Sequence, residues 1–240
     1  MAMVLSKPGV GALSEAVGVL RQWQYDGAPM QLHPGDPGWF WRSGAEATAA
    51  AVRTWRRDGR ILAVGLLDEP ELLRLTTAPD AQWDEELARQ LVEDVTGPER
   101  GVLMEGKVYV DAPAGALVQD LLVDDGWKTA EPWTPLRRDL TETVGDPGVR
   151  IEVIGPEQAH VRTAVQRASF DGSLFTDERR HVMAAGLPYA DARWLVAYDG
   201  QGNAVAASDG VGCSPGSGDG VGAKSEVEES GEAVVELFSA

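Results

Sequence analysis

Hydrophobic residues recur every three or four positions in three segments of the first half of the chain, a period typical of amphipathic helices. Leu13–Trp23 predicts a helix that Ser14 caps, and the alanine-rich Ala45–Trp55 predicts another. Trp83–Val95 has the clearest helical pattern, and Asp80 is its expected N-cap. Its apolar stripe consists of Trp83, Leu87, Leu91, Val92 and Val95.

Strand signals lie between and after these helices. Trp39 and Trp41 alternate with other residues inside Met30–Arg42, which predicts a strand bracketed by glycine-containing turns. Arg60–Thr77 contains two apolar runs split by Asp68-Glu69-Pro70 and therefore predicts a β-hairpin. The remaining elements expected before residue 140 are a strand at Lys107–Asp111, a helix at Gly115–Val123 and two strand pieces within Trp127–Leu140.

The same succession of signals begins again after Thr141–Val149, whose turn-forming residues predict a linker. Arg150–Ile154 alternates like a strand, and Pro156–Phe170 and Thr176–Ala185 predict helices. Trp194–Ala207 predicts a hairpin with an acidic, glycine-containing turn. In both halves a helix leads into a hairpin with an acidic turn, so we interpret the second half as another copy of the same unit.

These elements predict an α/β (α+β layered) fold in which helices flank a mixed central sheet, with one complete copy followed by a partial second copy. The expected division is a domain at 1–140, a linker at 141–149, a partial domain at 150–207 and a tail at 208–240. The tail is rich in glycine and serine and then acidic, which predicts disorder over most of it. A short helix is expected at Glu232–Phe238.

The charge balance narrows the classes of function. The formal net charge is −17, and no basic stretch is present, which argues against a nucleic-acid-binding protein. The negative charge can serve to attract a cationic small substrate, or it can simply keep the protein soluble, and both interpretations remain open. The chain has no apolar run long enough to span a membrane, so no membrane association is expected.

Cysteine and histidine usage predicts neither a disulfide nor a metal site. Cys213 is the single cysteine, which fits a reducing compartment and gives the cytoplasm as the expected location. His33, His160 and His181 show no metal-ligand spacing, so no metal is expected.

The loop between the first hairpin and the helix at Trp83–Val95 carries acids where a phosphate site would carry glycine. Thr77–Gln82 contains no glycine, and Pro79 removes a backbone donor. The acids around the helix start favour its dipole themselves and would repel a diphosphate, so we interpret this helix start as self-capped. They are Asp80, Asp84, Glu85 and Glu86.

The element order and three local phrases resemble the GCN5-related N-acetyltransferase (GNAT) superfamily, in particular its tandem-domain members. The phrases are GDPGWFWR, LLRLTTAPDAQWDEELARQL and LLVDDGWKTAEPWTPLRRDL. The resemblance implies acetyl-CoA as cosubstrate, lying in a V between two central strands with its diphosphate on a loop at a helix start. It also implies that the acetyl group passes to an amine, here of a small molecule.

The resemblance places candidate site residues in the first domain. Leu75, Thr76, Thr77 and Gln82 are the candidates for cofactor binding. The positions where the family often carries an asparagine and an acid tyrosine hold Gly115 and Leu122 here, so those side-chain roles are not filled.

Three other residues are candidates for catalysis, and a fourth, Asp111, is considered beside them. Glu69 and Glu71 could orient an amine or act as base, or they could be solvated turn carboxylates. Tyr109 is the nearest phenol, with a core tyrosine as the alternative. Asp111, at the end of the same strand, has the same two interpretations as Glu69 and Glu71.

Three hypotheses follow from the sequence. The chain is an N-acyltransferase, or a non-catalytic acetyltransferase-like module that binds a ligand or pairs as a homodimer, or a truncated product. A shifted reading frame over Ser208–Gly212 can encode Val-Thr-Val-Trp, a plausible continuation of the strand, so a frameshifted tail is a further expectation that the gene sequence would decide.

Overall fold

The computed structural model describes residues 2–25, 32–130, 145–190, 192–212 and 233–239. The chain divides into two compact units, Met1–Pro135 and Leu136–Ala240. Both units combine helices with a β-sheet, so the predicted α/β class is confirmed.

The first unit contains a five-stranded sheet in which the strands follow their order along the chain. Neighbouring strands are antiparallel except for the last pair, which is parallel. A tight turn with positive φ at Asp58 and Gly59 joins the second and third strands, as the twist of a hairpin requires. The strands are β1 (Val4–Ser6), β2 (Val52–Arg57), β3 (Arg60–Glu69), β4 (Leu72–Thr77) and β5 (Tyr109–Asp111).

Among the described residues of this unit, five helices accompany the sheet, and their apolar faces form its core. Leu13 and Leu20 from the first helix and Leu87 and Leu91 from the fourth are almost fully buried with Trp55 of β2. The helices are α1 (Leu13–Gln22), α2 (Gly35–Phe40), α3 (Ala45–Ala51), α4 (Glu85–Thr96) and α5 (Leu117–Asp124).

The second unit has a four-stranded antiparallel sheet in chain order, β6 (Arg150–Val153), β7 (Ala192–Tyr198), β8 (Ala204–Gly212) and β9 (Ala233–Ser239). Two helices, α6 (Ala159–Ser169) and α7 (Asp177–Ala184), separate its first two strands. These strands pair as β1–β4 do in the first unit, whereas only the first unit shows a fifth, parallel strand among the described residues. That the second unit is a partial copy of the first stays a prediction.

The predicted strand at Met30–Arg42 is wrong, because the described part of this segment is helical. Gly35–Phe40 forms α2, and a 3₁₀ turn follows at Trp41–Ser43. Local hydrogen bonds start this helix: the His33 amide donates to Asp36 Oδ2 at 2.6 Å, and the Gly35 amide donates to His33 Nδ1 at 3.0 Å. Such local bonds outweigh a two-residue aromatic alternation.

The predicted helix at Ala45–Trp55 ends early. Helix α3 stops at Ala51, and Val52 begins β2, which pairs with β3 through Arg57. The β-branched and aromatic residues of this segment fit a buried strand, and the partner strand supplies its backbone hydrogen bonds.

The start of α4 also differs from the prediction. Asp84, rather than Asp80, is the N-cap, and its side chain accepts a hydrogen bond from the Leu87 amide. Trp83 therefore lies before the helix, is 65% exposed and does not belong to the buried stripe. Helix α1 likewise begins after Ala12, without the predicted Ser14 cap.

The described end of the tail is a strand rather than the helix predicted at Glu232–Phe238. Ala233–Ser239 pairs antiparallel with β8 from Ala206 to Gly212, so the edge of β8 determines its conformation. Residues 213–232, which hold most of the predicted disorder, lie outside the described residues. So do residues 131–144, which hold most of the strand pieces predicted within Trp127–Leu140, while residues 127–130 form no strand.

Candidate functional site

The parallel strands β4 and β5 part in the middle of β4. Their pairing runs from Leu72–Tyr109 to Arg74–Asp111, and β4 continues to Thr77. The Ala78 amide donates to the Leu62 carbonyl at 2.8 Å. Antiparallel ladders alternate bonded and non-bonded pairs, so the backbone groups of Leu75 and Thr77 point away from β3. The Leu75 amide still pairs with β5, because the register pair Arg74–Asp111 uses it. The Leu75 carbonyl and both backbone groups of Thr77 face the gap that opens where β5 ends.

The three predicted catalytic residues lie together at the end of the sheet where this pairing begins. Glu69 is the last residue of β3, and the Tyr109 amide donates to the Glu71 carbonyl at 2.8 Å. Tyr109 is 44% exposed, which contradicts the alternative of a core tyrosine. Lys107 Nζ lies 5.4 Å from the centre of the Tyr109 ring, and the tyrosine hydroxyl raises the pKa of this lysine.

A cluster of carboxylates surrounds Arg74 beside these residues. Arg74 Nη1 donates to Asp36 Oδ1 at 2.6 Å, and Arg74 Nε lies 3.3 Å from Asp68 Oδ2. Asp111 is the register partner of Arg74 on β5. Desolvation raises the pKa of the Asp111 carboxyl, and the charge of Arg74 opposes this rise. Asp111 was a candidate from the sequence, whereas Asp36 and Arg74 were not, because no motif links residues that only the fold brings together.

His33 is part of the turn beside this cluster. Burial lowers the pKa of His33 to about 4, so the imidazole is neutral at pH 7. Its Nδ1 accepts a hydrogen bond from the Gly35 amide, which fixes the turn before α2. His33 therefore has a structural role in placing Asp36.

The predicted cofactor-binding residues lie at the other end of β4. Leu75, Thr76 and Thr77 are buried, and Thr77 Oγ1 has no hydrogen-bond partner among the described residues. The Gln82 carbonyl accepts a hydrogen bond from the Leu117 amide at 3.0 Å, which ties the loop before α4 to the start of α5. At about 3.3 Å per residue, the two ends of β4 lie about 17 Å apart. The catalytic and cofactor candidates thus occupy opposite ends of one strand.

The start of α4 is satisfied by the protein itself. Asp84 Oδ1 accepts from the Leu87 amide at 2.9 Å, and Arg57 donates to Asp84 at 2.5 Å and to Glu86 at 3.1 Å. Arg60 forms two hydrogen bonds with Asp80, at 2.6 and 2.8 Å. These arginines lower the pKa of the Asp80 and Asp84 carboxyls, which therefore remain negatively charged at neutral pH.

The residues at this helix start do not fit a diphosphate. A diphosphate needs free backbone donors and a positive potential, and here a carboxylate occupies the capping position. The two arginines nearby already bind carboxylates. The sequence-based interpretation of a self-capped helix thus agrees with the hydrogen bonds in the structure.

The described residues show neither a metal site nor a membrane span. No three His, Cys, Asp or Glu side chains come together there in a way that would hold a metal ion. No helix of that part of the chain combines the length and apolar composition needed to cross a membrane.

No protein-family model matches the chain, and no curated protein matches it. Among solved structures, the chain is similar to the crystal structure of a GCN5-related N-acetyltransferase from Sphaerobacter thermophilus. The TM-score is 0.41 and the sequence identity 17%, and the match covers 87% of this chain and 71% of the other. A likeness of this degree transfers neither a site nor an activity.

Proposed function

We propose that the chain is an N-acyltransferase of the GCN5-related type that moves an acetyl group from acetyl-CoA to an amine of a small molecule. The observation that carries the proposal is the position of Asp111. This carboxylate lies at the point where β4 and β5 part, and its side chain is exposed there, so an amine can reach it. The protein around it still desolvates the carboxyl enough to raise its pKa. A carboxylate with a raised pKa is a better proton acceptor for an amine than an ordinary one.

The gap between the two strands suits the acyl-carrying arm of the donor. Leu75 and Thr77 direct backbone groups into the gap, and Pro113, two residues after β5, has no amide hydrogen to offer them. An extended arm with amide groups, such as pantetheine, can pair with such an edge as an added strand would.

The chemistry expected of this site is direct transfer. Asp111 accepts a proton from the ammonium group of the acceptor, and the freed amine nitrogen attacks the thioester carbonyl carbon. A C–N bond forms, the C–S bond breaks, and the sulfur leaves as a thiolate that takes up the second proton lost by the nitrogen. Asp36 and Asp68 add negative charge near this position, which favours a cationic acceptor.

The self-capped helix start supports a second candidate function. Asp84 occupies the place where the family resemblance puts a diphosphate, and the Gln82–Leu117 hydrogen bond closes the loop against α5. Both features favour a non-catalytic, acetyltransferase-like module in which the first unit serves as a scaffold or binds a ligand without transfer.

A donor comparison distinguishes the two functions. The full chain is incubated with a panel of primary amines and either acetyl-CoA or acetyl-pantetheine, and the free thiol released is measured. Because the helix start offers no diphosphate contact, we expect both donors to give similar kcat/KM values. Absence of thiol release from both donors, with no calorimetric binding of millimolar acetyl-CoA, would overturn the transferase proposal and leave the non-catalytic module.

The role of Asp111 is tested by Asp111→Asn. General-base catalysis contributes about 10²–10⁴-fold, so we expect kcat to fall by about 10²-fold or more, with a small change in KM. The acidic limb of the kcat–pH profile should disappear in this variant. Asp124→Asn, which changes an exposed carboxylate on α5, is the control. Equal activity of the two variants would show that Asp111 is not the base.

A further inference from the structure

Two arginines are buried in the second unit where its helices meet its sheet. Arg162 of α6 is 0% exposed and Arg180 of α7 is 1% exposed. Arg162 is fully engaged: it donates to both carboxylate oxygens of Asp209, at 3.3 and 3.2 Å, and to Gln166 Oε1 at 2.8 Å. A buried guanidinium with a bidentate carboxylate partner needs no further ligand.

Arg180 differs from Arg162 in its partners. Its guanidinium carbon lies 3.7 Å from the centre of the Trp194 ring, and its Nε is buried without a hydrogen-bond acceptor among the described residues. A stacked aromatic ring neutralises no charge and accepts none of the in-plane N–H groups. Thr163, next to Arg162 on α6, also has a buried hydroxyl with no partner in the described part of the chain.

The charges of this cluster do not balance. Two guanidinium groups share one carboxylate, Asp209, whose pKa is raised by desolvation against the pull of Arg162. Desolvation also lowers the pKa of Arg180. Among the buried groups, positive charge therefore exceeds negative charge whether Asp209 is ionised or protonated. The exposed carboxylates of Asp177 and Glu157 also act on Arg180 and offset part of this excess. Buried charge without compensation is costly unless a ligand supplies the counter-charge.

The first unit shows that this fold does not require the charges. There the interface between the helices before the hairpin and the central strands is apolar, and it surrounds a small cavity. The lining includes Leu13, Val17 and Leu20 of α1 with Val64 and Leu66 of β3. Within the residues that the structure describes, the second unit also has helices between its first strand and its hairpin, two where the first unit has three, and it places arginines at this interface.

We propose that Arg180 and Trp194 form a binding site for the oxyanion group, carboxylate or phosphate, of a small ligand. The anion would accept the in-plane N–H groups of Arg180, and Trp194 would hold the guanidinium plane in place from one face. Arg162 and Asp209 fix the wall of the site through their mutual hydrogen bonds. This proposal does not depend on acyl transfer by the first unit.

The test uses the full chain with inorganic phosphate and with acetate as separate probes, at constant ionic strength. Binding is measured by calorimetry and by the change in tryptophan fluorescence. We expect saturable binding of at least one probe at millimolar concentration, and the preferred probe identifies the oxyanion. Trp194→Phe should remove the fluorescence change and weaken the calorimetric binding, but by less than Arg180→Met does, because a smaller ring still covers the guanidinium.

Arg180→Met is the decisive variant, and Arg179→Met, which changes an exposed arginine next to it, is the matched control. We expect Arg180→Met to weaken anion binding by about tenfold or more, the worth of a charge-assisted hydrogen bond. Its Tm without anion should equal or exceed that of the original chain, because the variant removes a buried charge that the surrounding carboxylates compensate only in part. Arg179→Met should bind as the original chain does.

Three results would overturn the proposal. The first is the absence of saturable binding of either probe, and the second is unchanged binding in Arg180→Met. The third is a large loss of Tm in Arg180→Met together with a Tm of the original chain that neither anion changes. That combination would identify Arg180 as a purely structural residue.

Discussion

At the acidic start of α4, substitutions of Asp84 can separate the stability contributed by its N-cap hydrogen bond from that contributed by its charge. Asp84 accepts a hydrogen bond from the Leu87 amide and binds Arg57, and both side chains of this ion pair are largely shielded. Asp84→Ala removes both interactions. Asp84→Asn retains a capping side chain and removes only the charge, because asparagine caps helices about as well as aspartate.

The expected magnitudes follow from these contacts. Loss of an N-cap costs about 1 kcal/mol, and loss of a partly exposed ion pair costs about 0–1 kcal/mol. We therefore expect Asp84→Ala to destabilise α4 by about 1.5 kcal/mol and Asp84→Asn by about 0.5 kcal/mol. Glu85→Gln, which removes only the exposed pair with Arg89, should change the stability of α4 by about 0.3 kcal/mol.

Hydrogen exchange of the α4 amides in the full chain is the assay. A loss of about 1.4 kcal/mol corresponds to about tenfold faster exchange, so Asp84→Ala should exchange about tenfold faster than the original chain. Equal exchange in Asp84→Ala and Asp84→Asn would refute the capping argument. A gain of acetyl-CoA affinity in Asp84→Asn would show that the charge of Asp84 alone kept the diphosphate out.

The stability of α4 also depends on pH in a defined direction. The hydrogen bond with Arg57 lowers the pKa of Asp84 in the folded chain. The contribution is therefore complete above the unfolded pKa of about 3.9 and is lost as the pH falls through the lower, folded value. In Asp84→Ala this part of the acid dependence of α4 exchange should be absent.

Two further predictions concern the core of the first unit, and urea unfolding of each variant measures both. A Cβ at Gly65 would lie 2.8 Å from Leu73 Cδ1 and 3.2 Å from the Trp55 ring, so Gly65→Ala should cost about 1–3 kcal/mol through overpacking. An unchanged free energy of unfolding in Gly65→Ala would mean that the Leu73 side chain moves aside at little cost. Asp94 accepts the Trp55 Nε1 hydrogen at 2.8 Å, and Asp94→Ala should cost about 1–3 kcal/mol because that donor stays buried without an acceptor. Unchanged stability would show that water replaces the carboxylate.

The sequence predicted the elements whose signal is local and repeated. Helix α1, the hairpin formed by β3 and β4, and the Thr176 cap of α7 all lie close to their predicted positions. Periodic apolar faces and capping residues determine such elements with little help from the rest of the chain.

The wrong predictions have a common physical cause, which is competition from contacts that periodicity does not show. Two tryptophans in alternation suggested a strand, but hydrogen bonds around His33 and Asp36 start a helix there. The segment from Val52 to Trp55 was predicted to be helical, but it is a strand because it pairs with β3. Ala233–Ser239 becomes a strand because the edge of β8 is available to it.

The candidate sites depend even more on tertiary structure. The acidic, glycine-free loop before α4 was visible in the sequence, and its consequence, a helix start without room for a diphosphate, follows from residue types alone. The meeting of Asp36 with Arg74, and of Arg180 with Trp194, was not visible, because the partners are far apart in sequence. The sequence alone thus determined the helical and hairpin elements and the charge at the start of α4, since these depend on neighbouring residues. Only the tertiary structure decided which distant side chains share a desolvated site, since desolvation and pairing exist only once the sheets and helices have packed.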